Sequence, residues 1–215
     1  MKKVILSVIL FLFAISLQAG NKNYQKKMTE LLTKMETCQT AEDFQEMANK
    51  FEIVAKAEKK KWLPAYYQAR CLVTITFVNR GATVAEKDGL LDAAETVINE
   101  ILKKHSKEAE VHVLNAYYLS ARLSVDPRTR GQQYSMLSQQ AVGKALSIDP
   151  THPRARYMKL ANDIGMARFF RGDTKKFCGQ AQSLLNSWDD FKPKSKIHPN
   201  WGKDQVEEII ASCNQ

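Results

Sequence analysis

The sequence predicts an all-α fold in which antiparallel helix pairs stack into an α-α superhelix of about nine helices. Apolar residues recur at i, i+3, i+4 and i+7 in successive segments, beginning with 28–35. Proline-bearing joints separate some of these segments, and 149–153 is the clearest of them. There Asp149-Pro150 ends one helix, and Pro153 suits the first turn of the next because the missing N–H has no partner in that turn. Helices joined by such short turns pack as antiparallel neighbours.

Apolar stripes and caps predict the opening helices and the first helix pair. Two capping helices span 24–59, and Thr40 is the expected N-cap of the second. The first pair spans 62–104. Its β-branched cluster 73–76 also suits a strand, but the length of the segment and its alanine, leucine and glutamine content favour a helix.

Two further helix pairs and a closing helix follow. The pairs span 107–148 and 153–188, and a C-terminal capping helix spans 201–213. Longer joints are expected inside the first two pairs, at 80–86 and at 124–130. Helix pairs of this kind cannot bury their apolar faces alone, so we expect them to stack with the first helix of each pair along a concave side.

The beginning of the chain has the layout of a secretory signal peptide. Lys2 and Lys3 precede an uncharged run over 4–16, and Ala19 is a small residue suited to cleavage. The sequence therefore predicts a signal peptide at 1–19, and with it export of the rest of the chain.

The exported part, 20–215, is expected to be one domain in the periplasm. A lipoprotein would carry cysteine at the first mature position, where Gly20 stands. No second long apolar run follows, so no transmembrane segment is expected. The formal net charge of the whole chain is +9 at pH 7, which favours anionic partners through long-range steering, while export argues against nucleic acid.

Cysteine placement favours one disulfide. The chain has four cysteines, which permit three pairings and lack the spacing of a metal site. Cys178 falls near the start of one predicted helix and Cys213 near the end of the last, so antiparallel packing brings them together. The alternative is two buried thiols that act as small apolar groups, and Cys71 inside a helix fits that alternative better than a bridge.

Catalytic and metal-binding patterns are missing from the sequence. It contains no Gly-x-Ser-x-Gly, phosphate loop or dinucleotide fingerprint, so neither an enzyme nor a cofactor is expected. Its histidines form no His-x-x-x-His pair, so no metal site is expected. Spacing alone leaves open a Ser–His or Cys–His pair that meets only in the fold.

The segment 124–130 is the sharpest candidate for binding. Arg128 and Arg130 place two guanidinium groups on a joint just before a helix. Such groups recognise carboxylates or phosphates through paired hydrogen bonds, and a helix N-terminus adds positive potential. The alternative is that Asp126 caps the turn and the arginines brace neighbouring helices through backbone carbonyls.

Polar side chains on the inner helices are the second set of candidates. They are expected to line a groove on the concave side, although half of them also suit ordinary contacts between helix pairs. The set consists of Tyr66, Arg70, His112, Asn115 and Arg156.

Three segments carry a resemblance to a known family. The segments 62–67, 114–118 and 145–155 resemble tetratricopeptide repeat proteins, and the chain as a whole looks like a secreted member of that kind from the bacterial envelope. The intervals between the three pairs are longer than the 34 residues of the family. The resemblance implies a helical superhelix that binds proteins or peptides, and it supplies no catalytic residue.

Two functional hypotheses follow. The first is a periplasmic, non-catalytic interaction module that binds an envelope protein or peptide with its concave face and joints. The second is a receptor for a small anionic ligand, such as a glycan or phosphate fragment, at the arginine-bearing joint.

Overall fold

The computed structural model describes residues 22–213, and the all-α prediction is confirmed there: this range contains nine α-helices and two short 3-10 helices and no strand. The predicted signal peptide, 1–19, lies outside the described residues. The described chain falls into two compact units, 22–38 and 39–213. Whether both belong to the single domain expected at 20–215 stays a prediction.

The first unit contains helix α1, residues 22–35. The second contains eight helices. Their bounds are α2 Ala41–Ala57, α3 Leu63–Val78, α4 Val84–His105, α5 Ala109–Val125, α6 Pro127–Ile148, α7 Pro153–Phe169, α8 Cys178–Asn186 and α9 Lys203–Cys213.

Reciprocal capping fixes where two of these helices begin. The Thr40 side chain accepts a hydrogen bond from the backbone N–H of Asp43, whose carboxylate in turn accepts from the Thr40 N–H. Thr83 and Glu86 repeat the arrangement at the start of α4. Two N–H groups that have no partner inside the helix are satisfied at each start. Helix α4 therefore begins at Val84, earlier than the predicted joint 80–86 allows.

The long joint predicted at 124–130 is wrong. Helix α6 begins at Pro127, which takes the first helical position, where a missing N–H costs nothing. Asp126 caps the helix by accepting a hydrogen bond from the N–H of Thr129 at 3.3 Å. Arg128 and Arg130 therefore lie in the first turns of α6 and not on a loop.

The predicted helix over 175–188 is divided. A 3-10 helix spans Lys175–Phe177, α8 follows, and a second 3-10 helix spans Trp188–Asp190. Just before it, α7 ends at Phe169, and Arg171 takes a positive φ of 54° in the turn. The N–H of Gly172 closes this turn on the carbonyl of Ala167 at 2.8 Å.

The helices form two layers. Consecutive helices from α2 to α7 pack against each other, and α3, α5 and α7 also contact one another in order. These three helices therefore form an inner row, with α4 and α6 packed outside it. Whether the row curves as a superhelix of tetratricopeptide type stays a prediction.

A buried polar network holds the inner row together. The Glu110 carboxylate of α5 accepts hydrogen bonds from the Tyr66 hydroxyl of α3 at 3.1 Å and from Arg154 Nε of α7 at 2.5 Å. His152 Nε2 lies 2.9 Å from the same carboxylate. Burial raises the pKa of the Glu110 carboxyl, but Arg154 and His152 lower it by more, so it lies below its ordinary value.

The last part of the chain packs against α7. Its apolar cluster consists of Leu160, Ile164, Phe177, Ala181, Leu184, Trp188 and Val206. A disulfide joins Cys178 at the start of α8 to Cys213 at the end of α9, which is the pairing favoured by the sequence. Trp201, just before α9, donates from Nε1 to the Tyr66 hydroxyl at 2.9 Å. The connector that precedes α9 is thereby fixed to the inner row.

Candidate ligand-binding groove

A cavity of about 440 Å³ opens between α2, α3 and α4. We call it the lysine groove. It is lined by Glu52, Ala55, Lys56, Lys59, Lys61, Trp62, Ala65, Gln68, Val97, Glu100, Ile101, Lys104 and His105.

Helical spacing explains why these residues share one groove. On α4 the lining positions 97, 100, 101 and 104 follow i, i+3, i+4 and i+7, and on α2 the positions 52, 55, 56 and 59 do the same. Position 59 itself lies just beyond the end of α2. Each helix therefore presents one stripe of side chains, and α3 provides the base between them.

The floor of the groove is apolar. Ala55, Ala65 and Val97 are half-buried there, and Ile101 is buried. The Trp62 ring stands beside them at the start of α3. A flat or apolar ligand body placed on this floor would remove carbon surface from water, at roughly 25 cal/mol per Å².

The rim carries an excess of positive charge at one end. Because α2 and α4 both pack antiparallel to α3, their C-terminal ends lie together, and this end holds the lysines. The cationic side chains at the rim are Lys56, Lys59, Lys61 and Lys104. Glu52 and Glu100 are the acidic lining residues, and Glu52 pairs with Lys56 at 2.6 Å. The rim therefore favours an anion.

Two imidazoles flank Trp62. The centroid of its ring lies 6.2 Å from His105 and 6.0 Å from His198. His198 Nδ1 is 2.8 Å from Ser195 Oγ, and burial together with nearby Lys194 lowers the pKa of the His198 imidazole. His198 therefore packs against Trp62 outside the groove lining, whereas His105 lines the groove itself.

None of the seven binding residues expected from the sequence lines the lysine groove. Tyr66 and His112 are buried. Tyr66 belongs to the Glu110 network. Burial is the main cause that raises the pKa of its hydroxyl well above the ordinary value. His112 Nε2 is 2.8 Å from the Ser106 carbonyl oxygen. These two side chains therefore lie beneath the surface that they were expected to line.

The other expected residues are dispersed over the unit. Arg70 and Asn115 are half-buried on α3 and α5, and Arg156 donates to Ser187 Oγ at 3.0 Å. Arg130 donates through both terminal nitrogens to the Asp88 carboxylate, at 2.6 and 2.8 Å. Arg128 is exposed. Arg130 therefore braces a neighbouring helix, but through the Asp88 carboxylate and not through the backbone carbonyls that were expected. Its hydrogen bonds are the main cause that holds the pKa of Asp88 below its usual range.

A second surface lies on the other side of α3. Phe77, Tyr117, Trp201 and Tyr157 form a row with centroid separations of 5.4, 5.4 and 6.3 Å, which we call the aromatic strip. The Arg70 guanidinium lies 5.3 Å from the centre of the Trp201 ring. Phe77 is 39% exposed. A smaller cavity of about 280 Å³ between α7 and α9 adjoins the strip at Tyr157.

The rim residues of the lysine groove stand at helix ends in the sequence. Lys59-Lys60-Lys61-Trp62 joins α2 to α3, and Lys103-Lys104-His105 ends α4. Each run read alone is an ordinary solvated helix end, since basic residues favour the last turn of any helix. A rule that groups the C-terminal ends of helices flanking a common neighbour would have found them.

Between residues 22 and 213, no three histidine, cysteine or acidic side chains cluster as a metal site would require. Within the same range, no helix is both long and apolar enough to cross a membrane.

Comparison with known proteins shows the fold. No protein-family model matches the chain, and no curated protein sequence matches it. Among solved structures, the chain is similar to the HusA haemophore from Porphyromonas gingivalis, with a TM-score of 0.76 and 24% sequence identity. The match covers 88% of this chain and 92% of that one.

Proposed function

We propose that this chain is an exported, non-catalytic haem-binding protein and that the lysine groove holds the haem. The observation that carries the proposal is a single cavity that combines an apolar floor, four lysines at one end and an imidazole. The likeness of the fold to a haemophore supports the choice of haem among anionic ligands with an apolar body.

Each part of haem has a counterpart in the groove. The porphyrin ring is flat and apolar, and Ala65, Val97 and Ile101 offer a surface for one face of it. The two propionates are carboxylates, and the rim lysines pair with them. The His105 imidazole is the ligand type that haem iron takes from proteins in globins and peroxidases.

The size of the cavity suits a ligand that remains partly open to solvent. Small-molecule sites enclose about 300–1,000 Å³, and the lysine groove lies in the lower part of that range. Exposed lysine–carboxylate pairs contribute about 0–1 kcal/mol each, so most of the affinity comes from the covered ring face. Cargo held in this way can be released to a partner.

The test is a haem titration of the mature chain, followed by absorbance in the Soret region. Lys59→Glu with Lys104→Glu reverses the charge at the rim and is expected to weaken binding by about tenfold or more. Ala65→Leu reduces the space above the floor and is expected to weaken it as well.

The matched control is Arg128→Glu with Lys144→Glu, which makes the same change in net charge at exposed positions on α6. This variant should bind haem like the parent chain. Equal affinity in the parent, the rim variant and Ala65→Leu would overturn the assignment of haem to the lysine groove. Absence of any saturable Soret change would overturn haem binding itself.

A second candidate function is binding of a periplasmic protein or peptide along the aromatic strip. The observation that favours it is the partly exposed Phe77 beside Tyr117, with Arg70 over Trp201, on the inner row that helical repeat proteins use for peptides. A photocrosslinking amino acid at position 77 in the exported protein tests it. We expect one reproducible adduct, with the same probe at exposed Lys144 as the control, and an adduct pattern equal to that control would overturn it.

A further inference from the structure

Two adjacent aromatic side chains stand in solvent where α7 ends. Phe169 is 62% exposed and Phe170 is 74% exposed, and Met166 one turn earlier is 39% exposed. Large apolar side chains clustered on a surface mark an interaction site more often than scattered ones do. We call residues 166–176 the phenylalanine turn.

The backbone holds this turn in a costly conformation. Arg171 has a φ of 54°, a region that residues with a side chain avoid and glycine tolerates. Glycine follows only at the next position, Gly172. The N–H groups of Phe170 and Gly172 bond back to the carbonyls of Met166 and Ala167, at 3.1 and 2.8 Å. The turn is therefore closed and presents both rings at a defined place.

Cations surround the two rings along the chain. Arg168 and Arg171 flank the pair, and Lys175 and Lys176 follow; all four side chains are exposed. One carboxylate lies among them, that of Asp173, which accepts a hydrogen bond from the N–H of Lys175 at 2.7 Å. The turn therefore combines an exposed apolar tip with positively charged side chains on either side of it.

We propose that the phenylalanine turn docks this protein on an anionic lipid surface. The Phe169 and Phe170 rings pack edge to face, with centroids 5.2 Å apart, and both are largely exposed, so together they form an apolar tip on the surface. A lipid surface accepts such a tip among its acyl chains without a shaped pocket. Its phosphates meet arginines and lysines on either side of the tip.

This docking site is independent of haem. It lies at the α7–α8 turn, whereas the lysine groove is built from α2, α3 and α4. The two proposals are therefore tested by separate variants, and either can fail while the other holds.

The test is cosedimentation of the mature chain with lipid vesicles. Vesicles of phosphatidylcholine and phosphatidylglycerol are expected to bind the protein, and vesicles of phosphatidylcholine alone to bind it at least about tenfold less, because each basic side chain contributes attraction only near anionic lipid. Phe169→Ser with Phe170→Ser is expected to reduce binding to the mixed vesicles by about tenfold or more. Arg168→Glu with Lys176→Glu should do the same.

Matched controls separate docking from general surface effects. Ile53→Ser removes a side chain that is 68% exposed on α2, and Arg128→Glu with Lys144→Glu makes the same charge change elsewhere. Both controls should bind mixed vesicles like the parent chain.

Arg171→Gly removes one cation while relieving the positive φ, so it is expected to fold at least as stably and to bind vesicles less well.

Three outcomes would overturn the proposal. The first is the absence of binding to mixed vesicles. The second is binding that the phenylalanine variant leaves unchanged. The third is self-association of the parent chain that the same variant abolishes, without vesicle binding, which would assign the turn to a contact between two copies.

Discussion

Arg154 and Glu110 form an ion pair inside the helix array, although 44 residues separate them in the chain. Arg154 is 2% exposed and Glu110 is 7% exposed. The second carboxylate oxygen accepts from the Tyr66 hydroxyl, so both oxygens are satisfied. The pair connects α7 to α5, and the tyrosine extends the connection to α3.

Removal of the Glu110 charge is expected to destabilise the protein strongly. Glu110→Gln leaves Arg154 buried without its counter-charge, which typically costs about 3–5 kcal/mol. Urea unfolding measures the loss. Glu207→Gln on the exposed face of α9 is the control and should change the free energy of unfolding by less than about 0.5 kcal/mol. Equal stability of the two variants would contradict a structural role for the pair.

The same network predicts how stability depends on pH. The folded pKa of the Glu110 carboxyl is depressed, because Arg154 and His152 outweigh the effect of burial. The contribution of the Glu110 carboxyl to the free energy of unfolding is therefore present above its unfolded pKa and is lost as the pH falls through its folded pKa. Unfolding free energies measured from neutral to acidic pH should fall less steeply in Glu110→Gln than in the parent chain. Parallel curves of unfolding free energy against pH in the variant and the parent chain would contradict the assignment of this pH dependence to Glu110.

Gly202 is expected to tolerate no side chain. Its φ is +107°, and an added Cβ would lie 2.9 Å from Cη2 of Trp188 and 3.4 Å from Cγ of Arg154. Gly202→Ala should therefore lower the free energy of unfolding by about 2–4 kcal/mol. Gly143→Ala is the contrast, since no atom lies within 4 Å of its added Cβ and the position is inside α6. The free energy of unfolding should rise by about 0.5–1 kcal/mol in Gly143→Ala. A lower free energy of unfolding in both variants would refute the steric argument.

The disulfide is expected to contribute to stability through the loop that it closes. Cys178 and Cys213 are 35 residues apart, and a loop of that length corresponds to about 3–4 kcal/mol. Cys178→Ser with Cys213→Ser should lower the melting temperature, and reductant should lower that of the parent chain alone. A further effect of reductant on the double variant would point to another sulfur group.

Arg130 and Arg128 are expected to behave differently although they are two positions apart. Arg130→Ala removes both hydrogen bonds to Asp88 and should cost about 1 kcal/mol, because the pair is partly exposed. Arg128→Ala should cost almost nothing. Thermal unfolding of the two variants measures the difference. Anion binding abolished by Arg128→Ala would restore the earlier hypothesis of a ligand site at this place.

His105 is expected to ligate the iron of bound haem. His105→Ala should shift the Soret band of the complex and weaken binding, and added imidazole should restore the position of the band by occupying the space left by the side chain. A band unaffected by the substitution would show that the groove binds haem without this imidazole. Titration of the parent chain with imidazole present is the control.

Periodicity predicts most of the helices, because each apolar stripe lies within one segment, but α3 is buried on most of its faces and is predicted from segment length and composition instead. The cap at Thr40 was also readable, since its partner Asp43 is three residues away. Tyr66 is predicted to lie on an inner helix. Its hydrogen-bond partners are 44 and 135 residues away in the chain, so a local sequence pattern cannot predict that its side chain is buried. Pro127 falls inside the joint predicted at 124–130, because an Asp-Pro pair ends helices as readily as it starts them, and here it starts α6.

Local sequence patterns do not predict the candidate groove, for a related reason. Its residues belong to two separate helix ends and one helix start, and no local pattern joins them. Trp62 fills space between helices through its ring contacts with Tyr66 and His198. Its second role beside a cavity depends on α4 returning alongside α2, which only the fold shows.

The shared direction of α2 and α4 has an electrostatic consequence for the lysine groove. Two helix C-termini end beneath the lysine rim, and each carries a partial negative charge of roughly half an elementary charge. These fixed dipoles offset the mutual repulsion of the lysines when no ligand is present. The lysine rim therefore avoids part of the electrostatic penalty that neighbouring positive charges would otherwise impose on the folded protein.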